Sequence, residues 1–168
     1  MGLFPPGKGG GDGVEYGYKG KGVTIHLLVD KHGLPLCVQV TSAKESERAQ
    51  VMPMLERLCV KTGKRGRPRK RPLQLAADKG YDSKELRNQL REKGIRPEIP
   101  KRVWKNRRKP AGRLLVKRVK RFVVERTFSW LQRKFRRVAV RWERLPYAFQ
   151  GFVSLGVSFM WLQRLIVG

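Results

Sequence analysis

The chain has 168 residues, 40% of them apolar, enough for one ordinary globular domain with its own core. Its 39 Lys and Arg against 13 Asp and Glu give a net charge of +26, a field that repels itself in the compact state and draws polyanions, so nucleic acid is the expected partner and a membrane surface ranks behind it. Cys37 and Cys59 are too few and too far apart for a disulfide framework or a zinc site, and the N-terminus has no signal-type apolar run, which points to a reducing cytoplasm.

Residues 1–22 are rich in Gly and read as an irregular loop without a strand. Residues 23–29 (VTIHLLV) and 35–40 (PLCVQV) are β-branched and apolar runs separated by Asp30-Lys31-His32-Gly33, a β-hairpin in which Asp30 is a turn residue. His26, lone within a strand, reads as a hydrogen-bonded structural residue rather than a ligand. Ser46 can cap a helix running to about Val60, with Val51, Met54, Leu55 and Leu58 on one face and Pro53 as a possible kink. Residues 61–72 form a basic loop with seven cationic residues and no acid. Within it Arg65-Gly66-Arg67-Pro68 resembles the core of an AT-hook, a segment that lies along a narrow minor groove. Non-specific phosphate contact by Arg65, Arg67, Arg69 and Lys70 explains the same residues.

Residues 73–77 (LQLAA) are a short apolar strand ending on Asp78, with Gly80 opening the backbone just after. Asp82 and Glu85 have capping-box spacing for a helix over 83–93, so a cap accounts for Asp82 and leaves Asp78 without a structural reason. An acid just after a buried strand is where α/β folds place working groups. Gly94 ends that helix, and residues 95–99 with Pro97 suit an edge strand. Residues 101–118 are a basic connector that begins with Lys101 and Arg102. Residues 119–138 then form an amphipathic helix with Val119, Val123, Thr127, Trp130, Leu131, Phe135 and Val138 on the core side. Opposite lie Arg118, Arg121, Glu125, Ser129, Gln132 and Arg136, so Glu125 is the lone acid on a face of arginine. Pairing of Glu125 with Arg121 one turn away would explain it without function, at ~0.2–0.5 kcal/mol. After a bend over 142–146, residues 147–163 carry no charge but are interrupted by Gln150, Gly151, Ser154, Gly156 and Ser158, which favours a buried or self-associating C-terminal helix over a membrane span.

Three blocks taken together, 18–36 (YKGKG leading into IHLLVDKHGLPL), 76–83 (AADKGYDS) and 123–131 (VVERTFSWL), resemble DDE transposases of bacterial insertion sequences, nearest the insertion-sequence-five type. The resemblance spans nearly the whole chain in the right order. It implies an α/β fold with an RNase H-like mixed sheet and flanking helices, and DNA cleavage and strand transfer with Mg²⁺ or Mn²⁺ by an Asp, Asp, Glu triad. It also implies DNA partners, the element's terminal repeats and its target, and allows a homo-oligomer. Asp78 matches the second aspartate and Glu125 the glutamate, the expected catalytic and metal-binding residues. Arg121 matches the arginine four residues before that glutamate, and Arg133 falls near the basic position after it. Arg118 stands where related families have a tyrosine, so the resemblance carries no role onto it. With Arg65, Arg67, Arg69, Lys70, Lys101, Arg102, Arg121 and Arg133, it is expected to contact DNA by charge.

In the family the first aspartate ends a strand in an Asp-Gly pair before the Gly-rich loop. Here Gly2 matches that glycine and Met1 stands at the aspartate position, so the first strand is expected to be missing. Two divalent ions ~3.5–4 Å apart need a bridging carboxylate, and Asp78 with Glu125 would hold at most one ion weakly. Asp12, within the glycine loop, is the nearest substitute. The expectation is therefore a transposase catalytic domain that is inactive alone, with an upstream portion encoded separately. A basic DNA-binding remnant without chemistry is the alternative, and an RNA-binding protein a third.

Overall fold

The computed structural model describes residues 2–61, 65–101 and 121–167. Four strands, β1 (Gly2–Leu3), β2 (Glu15–Gly17), β3 (Gly20–Val29) and β4 (Pro35–Ser42), make an antiparallel sheet around β3. The hairpin read from the sequence is present, with Val23 opposite Ser42 and an irregularity between Leu28 and Val29. On its other side β3 pairs with β1, Gly2 opposite His26, and with β2, Glu15 opposite Gly22. The reading of residues 1–22 as a loop without a strand is thus corrected. Strands of two and three residues carry no period-2 signal. They are held instead by distant partners: Gly2 N–H donates to Glu47 at 3.1 Å, and a Cβ at Gly2 would lie 2.7 Å from Thr24 Cγ2.

Alternation along β3 sends Val23, Ile25 and Leu27 to one face, where they join Phe128, Leu131, Val138, Phe149 and Val153 in the core. The other face carries Thr24 and His26, both buried. Helix α1 (Val51–Glu56) packs against β4 and buries Met54 and Leu55. It is shorter than expected, and Ser46 is not its cap: residue Gln50 holds that position without a side-chain bond. Pro53 falls in its first turn, where a missing N–H leaves no bond unmade, so no kink arises.

The chain divides into two compact units, the first Met1–Leu58 with Phe122–Gly168 and the second Cys59–Arg121. The second contains β5 (Gln74–Ala76), helix α2 (Lys84–Glu92) and β6 (Arg96–Glu98), with β5 and β6 parallel, a βαβ arrangement. Leu75, Leu86, Leu90, Ile95 and Ile99 are buried in it. Gly94, at φ +70°, ends α2: its N–H reaches the Arg91 carbonyl at 2.8 Å and Ile95 N–H the Leu90 carbonyl at 2.8 Å, a Schellman motif.

The organising helix, α3 (Arg121–Lys134), stops before Phe135, and a short α4 (Arg136–Ala139) follows. Expected as one helix over 119–138, it breaks at Phe135, whose backbone is extended; Val119 lies outside the described residues. Val123, Thr127, Leu131 and Val138 are buried as the periodicity required, and Phe128 joins them. Last comes α5 (Pro146–Val167), which buries Phe149 and Val153 and covers the edge of β4. Its polar interruptions do specific work. Gln150 Oε1 accepts from Val40 N–H at 2.8 Å, and Gly156 leaves room for Leu131 and Phe135. Among the described residues no helix is long and apolar enough to cross a membrane. The protein is a mixed α/β structure.

The glycine loop is shaped by the segment after α4. Gly9 N–H donates to the Arg141 carbonyl at 3.3 Å and Asp12 N–H to the Arg144 carbonyl at 3.1 Å. A Cβ on Gly9 would stand 1.9 Å from the Trp142 carbonyl oxygen, whereas Gly10, at φ +64°, has nothing within 4 Å. Gly10→Ala should therefore cost about 1–2 kcal/mol for its left-handed backbone, and Gly9→Ala roughly twice that or more, since backbone must move. Urea midpoints of the two variants check the order, and equal losses would contradict it.

Candidate functional site

Asp78 sits in the loop that follows β5, the carboxyl end of a strand in a βαβ arrangement, as the sequence suggested. Its local account differs from the expected one. Asp78 caps a 3₁₀ turn over Lys79–Tyr81, Oδ1 accepting from Lys79 N–H at 2.6 Å. Asp82, assigned to a cap from its spacing to Glu85, is not one. It pairs with Arg87 at 2.8 Å, and Arg87 also donates to the Ile99 carbonyl. The cap of α2 is Ser83, whose hydroxyl accepts from Leu86 N–H at 3.5 Å. Spacing could not separate Asp82 from Ser83 because both residue types cap and they are adjacent.

Glu125 lies exposed in the first half of α3. That helix is fixed against the β3–β4 turn. Thr127 Oγ1 lies 2.8 Å from the Gly33 carbonyl and 3.0 Å from the Val123 carbonyl, and Arg126 donates to the His32 carbonyl at 2.7 Å. The turn itself is held by Asp30, whose carboxylate accepts from His32 N–H and Leu34 N–H at 2.9 and 2.8 Å. Arg121 opens α3. Arg133, two turns beyond Glu125, donates to Ser129 Oγ at 3.0 Å and is exposed.

Asp78 belongs to the Cys59–Arg121 unit and Glu125 to the other. Both offer the hard carboxylate oxygens that Mg²⁺ prefers. Among the described residues no group of three or more His, Cys, Asp or Glu that could hold a metal ion is found. Asp12 is held elsewhere: its carbonyl accepts from Arg141 at 2.6 Å.

The expected DNA-binding cations fall into groups. Arg65, Arg67, Arg69 and Lys70 are all exposed, and reciprocal 2.9 Å bonds join Val60 and Arg69. Lys101 is exposed at the end of that unit's described part, and Arg102 and Arg118 lie outside the described residues. Sequence reasoning missed a further group after α3. Arg141 is 1% exposed, and it donates to the carbonyls of Glu143, Asp12 and Arg144. Burial lowers its pKa, opposed by the nearby Glu143 and Asp12 carboxylates. Beside it, Arg136, Arg137 and the exposed Trp142 line a surface cleft. The only signal in the sequence was a tryptophan among arginines where a bend was expected.

The profile of the transposase DDE domain matches residues 6–157, and the chain belongs to that family. It is 39% identical over 131 residues to a protein named as a transposase for insertion sequence element IS402 in Burkholderia cepacia, covering 78% of this chain and 58% of that one. Over 120 residues it is 32% identical to the transposase for element IS1106 of Neisseria meningitidis serogroup B, 68% of this chain and 37% of that one. A protein named for element IS6501 in Brucella ovis is 28% identical over 149 residues, 83% of this chain and 97% of that one. The chain thus spans under two thirds of the first two relatives and nearly all of the third. No solved structure matches it.

His26 is structural, as the sequence suggested. It is 2% exposed, with Nε2 2.8 Å from Thr41 Oγ1, and burial lowers its pKa to about 4, Glu47 opposing. The folded pKa lies below the ordinary 6.5, so this contribution is fully present above pH 6.5 and is lost as pH falls towards 4, about 3 kcal/mol in all. His26→Gln should lack that portion. Urea unfolding of both proteins at pH 7.5 and 4.5 checks it, and the same pH dependence in both would refute the assignment.

Proposed function

We propose that the chain acts in DNA transposition, as part of a transposase of the insertion-sequence-five type with an RNase H-like fold. It binds DNA, the element's terminal repeats and the target, and carries two of the carboxylates for strand cleavage and transfer, Asp78 and Glu125. The observation that carries this reading is the pairing of family with position. Within the span matched by the DDE profile, Asp78 follows the carboxyl end of β5 and Glu125 is exposed on α3. Magnesium or manganese is the proposed ion, in keeping with carboxylate donors. A net charge of +26 and the exposed cations Arg65, Arg67, Arg69, Lys70, Lys101 and Arg133 support phosphate contact, with Arg102, Arg118 and Arg121 proposed to add to it.

Self-association belongs to the same proposal. Helix α5 leaves Leu155, Phe159, Leu162 and Ile166 exposed at three- and four-residue spacing, an apolar stripe that a second copy would cover. A second reading, a basic DNA-binding chain without chemistry, is favoured by one observation: the net charge of +26 draws DNA without needing an active site.

Metal titration and plasmid nicking in Mn²⁺ separate the two. Asp78→Asn keeps a side chain that caps as well as aspartate, and Glu125→Gln keeps the shape of an exposed residue. Each should lower metal binding by more than ~100-fold, and with it any nicking the chain shows, because even residues that only orient ligands cost 10–100-fold. Duplex affinity should stay within about threefold and, if ~6–10 phosphates are neutralised, fall ~10³–10⁵-fold between 50 and 200 mM salt. Metal binding unchanged in both variants would sink the catalytic reading and leave the second. Affinity indifferent to salt would sink both.

A further inference from the structure

The segment after α4 holds an exposed aromatic on an unusually well-anchored backbone. Trp142 is 53% exposed, yet its N–H donates to Glu143 Oε2 at 3.2 Å. Its carbonyl lies against Gly9, where not even a Cβ fits. The preceding residue is Arg141, buried and bonded to three carbonyls. A side chain that packs no core and sits on a fixed backbone is presented outward.

What it faces is cationic. Arg136 and Arg137 of α4 line with Trp142 an open, shallow cleft of about 470 Å³. Arg137 is held in place: Nη1 is 2.9 Å from Glu143 Oε1, and its guanidinium lies 5.6 Å from the Phe152 ring centroid. Glu143 is an acid near the cleft; its carboxylate pairs with Arg137 and accepts from the Trp142 main-chain N–H, which offsets its charge and leaves Arg136 as the uncompensated cation. No described residue pairs with Arg136, which is exposed.

We propose that Arg136, Arg137 and Trp142 form a binding site for an unpaired nucleotide of DNA, with the indole stacked on the base and the guanidinium groups on its phosphates. The chemistry selects this ligand. Arginine forks match phosphate oxygens, and an indole face is matched by a base face, which a duplex hides within its stack. This inference rests on the reading that the chain binds DNA, and it adds to it a preference for unpaired strands at one place.

The test is fluorescence anisotropy of a labelled 20-nucleotide single strand and of the matching duplex, with wild-type chain and variants at one salt concentration. Trp142→Ala should weaken single-strand binding ~5–100-fold, the range for one stacked base, and leave duplex binding within about twofold. Trp142→Phe, which keeps a ring face, should recover most of the loss; Trp142→Leu, of similar apolar bulk, should not. These two decide the matter even where the alanine variant does not fold. Arg136→Gln should reduce the salt slope on the single strand by about 0.7. Equal losses on single strand and duplex, or none on the single strand, overturn the site while leaving DNA binding intact. A wild-type chain that binds neither DNA form overturns the underlying reading instead. A loss towards polyglutamate as large as that towards the single strand would assign the cleft to acidic protein and also overturn the proposal.

Discussion

A buried guanidinium organises the larger unit of this protein. Arginine cannot shed its charge at any ordinary pH, and removing it from water is costly unless nearly every N–H finds an acceptor. At Arg141 the acceptors are main-chain carbonyls drawn from two distant parts of the chain, Asp12 in the glycine loop and Glu143 and Arg144 just beyond. The loop must come close for this, and the close approach explains why Gly9 and Gly11 carry no side chain: a Cβ at either would meet backbone at 1.9 or 2.2 Å. Composition that resembles a flexible linker is here the consequence of tight packing. The bonds of Arg141 to the Glu143 and Arg144 carbonyls tie down the main chain on either side of Trp142 just before α5, where Glu143 accepts from Arg137.

The two acids of interest are placed by different means. Asp78 is held locally just after β5, where its carboxylate accepts from the neighbouring Lys79 N–H. Glu125 is positioned by the helix that carries it, and that helix by the Thr127 and Arg126 contacts to the β3–β4 turn. A cap on Asp78 does not argue against function. Held side chains are the ones that keep geometry within the narrow tolerance a reacting site needs. A cap is therefore an incomplete explanation of an acid, though it is the one sequence spacing finds first.

What could be read from the sequence was what neighbours in sequence decide. The hairpin, the Asp30 turn, the Gly94 stop of α2 and the buried stripe of α3 each rest on local chemistry, and each is present. What escaped reading depends on residues far apart. Strands β1 and β2 exist because β3 offers an edge. The break at Phe135 places that ring in edge contact with Trp130 and Phe159, a reason that lies partly on another helix. Gln150 looked like a flaw in an apolar helix until its amide was seen to satisfy the β4 edge. The candidate site divides in the same way. Asp78 and Glu125 are candidates because motif blocks name them, whereas the sequence offers no pattern that would group Arg136 and Arg137 with Trp142, a basic pair and a bend.

Charge sets the terms on which such a chain is stable. With 39 cations against 13 acids, few ion pairs can form, and most arginine and lysine heads must remain in water. Their mutual repulsion works against the compact state at low salt and is screened as salt rises. A polyanion that binds only the folded form reverses this, stabilising it by mass action while neutralising the exposed groups. Arg65, Arg67, Arg69 and Lys70, close together in sequence, gain most from such a partner. Arg141 gains nothing, because carbonyls already satisfy it. The exposed arginines thus repel one another until salt screens them or a polyanion neutralises them, while the buried one is held by main-chain carbonyls whatever the salt.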